Sequence, residues 1–192
     1  MKEVHFLNNI FSSKDFNESE LKLILCQFKQ VNFSKSEYLL KEGKTENHYW
    51  FLERGFVRSF VNDTCGNDIT TNFYGQSDIV IDWSSFFLRN PTRENIQALT
   101  DCICWQLDFE TFQQLFHSIK AFREQGRSRL VSSYFALKNQ SVSLIADEAK
   151  ERYLRLLREK PHIVQNVSQQ HIATYLGITK YSLSRIRKEI SQ

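Results

Sequence analysis

An α+β chain is predicted, with strands filling the amino half, one long helix at the centre and short helices at the carboxyl end. Three observations predict it. Gly43, Gly55, Gly66 and Gly75 lie twelve, eleven and nine residues apart and enclose short aromatic and β-branched runs. Strands at that spacing with glycine turns make an antiparallel sandwich or barrel. The stretch from Ile119 to Ile145 contains no proline and carries apolar residues at helical spacing. From Ser168 to Ile190 two short amphipathic segments flank Gly177.

Taken in order, an opening helix is expected over Glu18 to Gln30. Asn17 and Glu20 have capping-box spacing, and Leu21, Ile24, Leu25 and Phe28 fall on one face. Strands follow at Tyr49 to Leu52, Phe56 to Val61, Ile69 to Tyr74, Asn95 to Ala98 and Cys102 to Leu107. Most of the aromatics in them read as core. Phe112, Leu115, Phe116 and Ile119 form a short amphipathic helix ahead of the long one. On the long helix, Leu130, Tyr134, Leu137 and Leu144 make one stripe, and Val131, Phe135, Val142 and Ile145 a second. Either one stripe covers the β-rich part while the other pairs with a second copy, or both form one broad stripe on a monomeric core. Ser132, Ser133, Ser141 and Ser143 make the seam less apolar than a zipper. Asp147 is expected to cap a further helix carrying Tyr153, Leu154 and Leu157 that stops at Pro161, followed by a loop through Asn166.

At 192 residues, 41% hydrophobic and 24% charged, the composition is that of an ordinary globular protein and excludes a disordered chain. The net charge of +3 is unevenly spread. From Asp147 onward nine Lys/Arg stand against five Asp/Glu, while the remainder has sixteen against seventeen. Positive charge therefore gathers at the carboxyl end, as attraction to phosphate requires. No apolar run reaches membrane-spanning length and no basic-then-apolar segment opens the chain, so a cytoplasmic location and no membrane partner are expected. Cys26, Cys65, Cys102 and Cys104 lack metal spacing. Cys102 and Cys104 would share one side of a strand as small buried hydrophobes. The five histidines show no ligand spacing either, and neither a phosphate loop nor a nucleophile–base arrangement occurs. No metal, no catalytic residue and no enzyme activity are expected.

The carboxyl segment reads as a helix-turn-helix. Ser168 is a good N-cap, Ile172, Ala173 and Leu176 make a packing face, and Gly177 tolerates the left-handed conformation that turns the chain. Thr179 can cap a second helix whose Leu183, Ile186 and Ile190 form its buried stripe. Tyr181, Ser184, Arg185 and Lys188 point outward, flanked by Lys180. That face is basic, hydroxyl-rich and free of acid, as a helix entering the major groove of double-stranded DNA needs to be. Such a helix pair also occurs in plain helical bundles, and the rival reading is a protein-interaction module that keeps the fold and reads no DNA. In the DNA reading Arg185 meets a base edge, Tyr181 and Ser184 add contacts to bases or methyl groups, and Lys180, Lys188, Ser168, Gln169 and Thr179 serve the backbone.

The chain as a whole resembles the Crp/Fnr family of bacterial transcription regulators. The resemblance rests on Leu40-Lys41-Glu42-Gly43, on Trp50-Phe51-Leu52-Glu53-Arg54-Gly55-Phe56-Val57, on Ile172-Ala173 with Leu176-Gly177-Ile178-Thr179, and on Leu183-Ser184-Arg185-Ile186. It implies a cyclic-nucleotide-binding-like jelly roll over 1–118, a dimerisation helix over 119–145 and a DNA-binding domain over 146–192. It implies a homodimer reading a palindromic operator, with RNA polymerase as a further partner, and it places Arg185 on the family's base-contacting arginine. The sensor departs from the family. Ile81 stands where a permissive glycine is expected, Asp82 is a shorter acid, and Thr92 takes the place of the phosphate-binding arginine, with Arg93 one residue on. These departures disfavour a cyclic nucleotide, and no other cofactor is expected; the family's terminal cysteine cluster for iron–sulfur binding is absent. Asp82, Trp83, Arg93, Glu94 and Asn95 are left as candidates to line a pocket for another small ligand, or Arg93 and Glu94 form a plain surface ion pair. No β-hairpin wing follows the second helix of the motif, which implies fewer phosphate contacts.

Overall fold

A computed structural model describes residues 5–12 and 14–190. Two short helices, α1 (His5–Ile10) and α2 (Glu18–Leu25), precede the strands β1 (Lys29–Phe33), β2 (Tyr38–Leu40), β3 (His48–Arg54), β4 (Val57–Asn62), β5 (Asp68–Tyr74) and β6 (Ile79–Val80). Helix α3 (Trp83–Leu88) interrupts them before β7 (Asn95–Ala98) and β8 (Cys102–Asp108). The strands form two four-stranded antiparallel sheets, ordered β1-β8-β3-β6 and β2-β7-β4-β5. Two facing sheets with these crossed connections are the jelly roll expected.

The capping box of α2 is present in both directions, Asn17 accepting the Glu20 amide and Glu20 accepting that of Asn17. The helix nevertheless ends at Leu25 rather than Gln30. Phe28 keeps its core position but leaves the helix, because Lys29 to Phe33 pair in register with Gln106 to Cys102 of β8. Sheet pairing overrode the helical spacing. Gly55 turns β3 into β4 at φ +104°, where a Cβ would lie 2.5 Å from the Cys102 sulfur. No other residue fits that corner. Cys102 and Cys104 are buried in the roll, as expected.

Helix α4 (Phe109–Ser118) leads into α5 (Lys120–Ala146), the long helix. Helices α6 (Ala149–Glu159), α7 (Pro161–Asn166), α8 (Gln169–Tyr175) and α9 (Lys180–Ile190) follow. Two expectations are corrected here. Asp147 ends α5 instead of capping α6; the cap is Glu148, in a capping box with Glu151, and Asp147 pairs with Arg155. Pro161 starts α7 where a loop was expected, its missing N–H costing nothing in a first turn.

One core joins Phe11, just after α1, to Phe51 of β3, Phe86 of α3, Phe112 of α4 and Phe122 of the long helix. A second lies between the sheets around Trp50, Leu52, Val80 and Ile96. The third joins Phe73 of β5 to Tyr153, Leu156, Ile172, Leu176 and Leu183 of the terminal helices. Strand β5 is thus shared, and it is also a sheet edge. Unpaired edge groups need partners. Gln140 of α5 donates to the Thr71 carbonyl, Lys160 donates to the Phe73 carbonyl, and the Thr70 amide donates to Thr174 of α8.

The long helix meets the roll through Phe122 and polar side chains, Gln125 donating to the Ile10 carbonyl and Gln140 reaching β5. Neither apolar stripe covers the roll. Leu130, Val131, Tyr134, Phe135, Leu137, Val142, Leu144 and Ile145 are all exposed, Ile145 at 85%. Neither one stripe on the β-rich part nor a single broad stripe on a monomeric core is found, and both expectations are corrected: hydrogen-bonding side chains fill the side that meets the roll, and the apolar residues are exposed. No helix among the described residues is long and apolar enough to cross a membrane.

Candidate functional site

Helices α8 and α9 pack at the turn the sequence anticipated. Ser168 accepts the His171 amide at 3.3 Å, and Thr179 accepts the Ser182 amide at 3.1 Å. Gly177 takes φ +67°, and its α-carbon faces Leu144 of the long helix, which an added Cβ would meet at 3.4 Å. Ile172, Ala173, Leu176 and Leu183 are buried, and Ile178 plugs the corner from a half-buried position. The outward face of α9 then stands clear: Lys180, Tyr181, Ser184, Arg185 and Lys188 are exposed, Tyr181 at 79%. The acid of α9, Glu189, sits in the last turn and pairs with Lys150 at 3.2 Å. A cleft of about 250 Å³ brings Gln169 of α8 together with Ser184, Arg187 and Lys188 of α9. Chemically this is a row of donors and cations with one exposed aromatic, able to take phosphate and base edges.

The candidate ligand residues are divided by the structure. Asp82 N-caps α3, one carboxylate oxygen receiving the amides of Ser84 at 3.0 Å and Ser85 at 3.1 Å and the Ser84 hydroxyl at 2.8 Å. Its other oxygen receives the Thr92 hydroxyl at 2.5 Å. Thr92 in turn accepts the Glu94 amide at 3.0 Å. Trp83 stacks on Phe87 at the rim. Arg93 is exposed and has no ion pair with Glu94 among the described residues. The surface ion pair left open above does not form. Asn95 is buried and accepts the Glu42 amide at 3.1 Å, so it braces the β2–β3 loop instead of facing a ligand.

Asp82, Trp83, Arg93 and Glu94 line one side of a groove of about 1430 Å³, whose other side is the long helix with Arg129, Ser133 and Gln140. Buried in it without a hydrogen-bond partner is the Arg129 Nε. Sequence reasoning assigned Ser133 to a seam and did not single out Arg129 or Thr71; polar residues interleaved with the stripes were the available signal. Burial raises the Glu94 carboxyl above the usual carboxylate range, and the Asp82 charge adds to that. Beneath them Glu46 is buried, with one oxygen accepting the His48 amide at 3.0 Å and the other unpartnered. Desolvation pushes its carboxyl up to about 8.

A cyclic phosphate needs free amides and an arginine in this corner. Here the amides at the start of α3 are held by the chain's own carboxylate, Ile81 is buried, and Thr92 locks Asp82 in place. The residues present do not fit a cyclic nucleotide phosphate.

Residues 30–118 match the family model described as the cyclic nucleotide-binding domain. Over 111 residues the chain is 25% identical to the cAMP-dependent protein kinase regulatory subunit of Candida albicans, covering 57% of this chain and 22% of that protein. It spans less than a quarter of the length of the curated relatives it matches first. Among solved structures, FixK2 from Bradyrhizobium japonicum superposes with a TM-score of 0.75 at 16% identity, covering 85% of this chain and 84% of that one. A candidate transcriptional regulator of the crp/fnr family from Eubacterium rectale superposes at 0.73 and 15% identity, over 95% and 88%. The fold is that of Crp/Fnr regulators, as the sequence motifs implied.

Proposed function

We propose that the chain is a non-catalytic, homodimeric DNA-binding transcription regulator of Crp/Fnr type that reads a palindromic operator in the cytoplasm. The observation that carries this reading is the exposed, cationic face of α9 on a helix pair whose buried side is fully packed. Residues 1–118 act as the sensor-like roll, 119–145 as the pairing helix and 146–192 as the DNA reader.

Arg185 reads a base edge by its planar fork, and Tyr181 and Ser184 add contacts to bases or methyl groups. Lys180, Lys188, Gln169, Ser168 and Thr179 anchor phosphates. Ser168 uses a lone pair for its cap and keeps its O–H to donate. The bare apolar stripes of α5 supply the dimer seam, since a contiguous exposed patch of that kind marks an interaction surface. Two reading helices then enter successive major grooves roughly 34 Å apart. RNA polymerase is the further partner that this role implies. A small ligand in the groove beside Asp82, Trp83, Arg93 and Glu94 gates the protein only if it favours one placement of the terminal helices over another.

Selection of bound duplexes from a randomised pool tests the reading. It is expected to enrich an imperfect palindrome whose half-sites are about one helical turn apart. Enrichment of no sequence, with equal retention of every duplex, contradicts it and favours a protein-interaction module.

A further inference from the structure

Arg58 of β4 is 3% exposed, an unusual place for a guanidinium, and it sits at the junction between the roll and the terminal helices. Its Nη2 donates to Asp68 of β5 and, at 3.2 Å, to Gln97 of β7. Its Nη1 lies 2.8 Å from Nδ1 of His171, on α8, and 3.4 Å from the Thr70 hydroxyl. Every proton on a guanidinium nitrogen is a donor. Nδ1 of His171 must therefore accept, which fixes the neutral ring with its proton on Nε2.

We infer that the helix-turn-helix unit is latched to the edge of the roll by neutral His171 and is released on acidification. A protonated ring has no lone pair at Nδ1, and it sets a second cation against Arg58. The groups facing the ring are Arg58 from β4 and Asp68 from β5; Gln97 and Thr70 are neutral. Asp68 favours the charged ring, yet its carboxylate is already committed to Arg58, which holds it below the usual carboxylate range. Burial first, and the Arg58 charge second, lower the His171 imidazole below its ordinary value.

The linkage has a definite sign. Docking holds His171 neutral, so its contribution is complete above the free imidazole value of about 6.5 and fades as pH falls below that. The other docking ties involve no imidazole. Thr70 and Thr174 exchange hydrogen bonds, Phe73 packs on Tyr175 at 5.0 Å between ring centroids, and Lys160 donates to the Phe73 carbonyl at 2.8 Å. They define where the unit returns when His171 is neutral.

The test reads docking and not DNA, so it stands or falls separately from the function proposed above. Spin labels are placed on Cys65, at the exposed β4–β5 turn, and on a Gln165→Cys substitution, with Cys26→Ser to keep labelling clean. Inter-label distances are measured at pH 7.5 and 5.5 on the full chain mixed with an excess of unlabelled parent protein, so that each pair of labels lies within one subunit. The expected result is one narrow distribution at pH 7.5 and a longer, broader population at pH 5.5, raised roughly twofold or more. His171→Gln keeps an acceptor that cannot titrate, and it is expected to hold the narrow distribution at both values. A distribution in the unsubstituted protein that ignores pH, or a glutamine variant that responds as strongly, overturns the latch.

Discussion

The Thr92 hydroxyl donates to Asp82 at 2.5 Å, while the same carboxylate receives the first amides of α3. One buried threonine and one aspartate thus close the corner where a phosphate would have to enter. An incoming anion would displace a carboxylate from its amides and then sit beside it, paying both for lost hydrogen bonds and for repulsion.

Cyclic AMP and cyclic GMP are therefore expected to leave the protein unbound. Calorimetric titration at 100 μM, about the concentration scale of weak binding, is expected to give no saturable heat. A saturating isotherm in that range contradicts the assignment of Asp82 as an occupant of the site.

Glu46 gives a pH signature. Its carboxyl is raised from 4.5 to about 8, mainly by burial. A raised folded value means that the neutral carboxyl stabilises the fold fully below 4.5, and that this is lost as pH rises through about 8. Glu46→Gln mimics the neutral form. Its stability relative to the parent is expected to be roughly 1–4 kcal/mol greater at pH 8 than at pH 5. Denaturant melts at the two values check this, and a difference that is flat with pH contradicts it.

The apolar stripes of α5 make a prediction about assembly. Phe135→Glu and Leu137→Glu place charge on exposed positions that touch no core. Folding is expected to be preserved while sedimentation moves from dimer to monomer. A parent protein that is monomeric at tens of micromolar, or glutamate variants that remain dimeric, removes the seam.

Much of this was legible in the residues, and the failures have physical causes. The caps Asn17, Ser168 and Thr179, the strands β3, β4, β5, β7 and β8, and the helix pair around Gly177 followed from local chemistry, where period and turn type agree; Asp147 as a cap and the short β6 did not. Helix α2 was drawn too long because Phe28 continues its spacing, and only pairing with β8 ends it. The side of α5 that meets the roll was misread because polar residues such as Gln140 make that contact by reaching edge carbonyls. Arg58 and His171 lie 113 residues apart, so no local pattern could join them. Asn95 looked like a ligand residue because it neighbours Glu94, but the pleat sends it to the other side, where it braces Glu42.

Binding of Arg185→Ala to a selected operator and to random duplex, at several salt concentrations, is the most direct measurement of the central claim. The variant is expected to lose roughly 1–3 kcal/mol on the operator and much less on random DNA, because a fork on a base edge carries sequence information. Affinity of the parent is expected to fall steeply with salt. Equal losses on both duplexes would reduce Arg185 to a neutralising charge, and absence of any sequence preference in the parent would contradict the account of α9 as a reading helix.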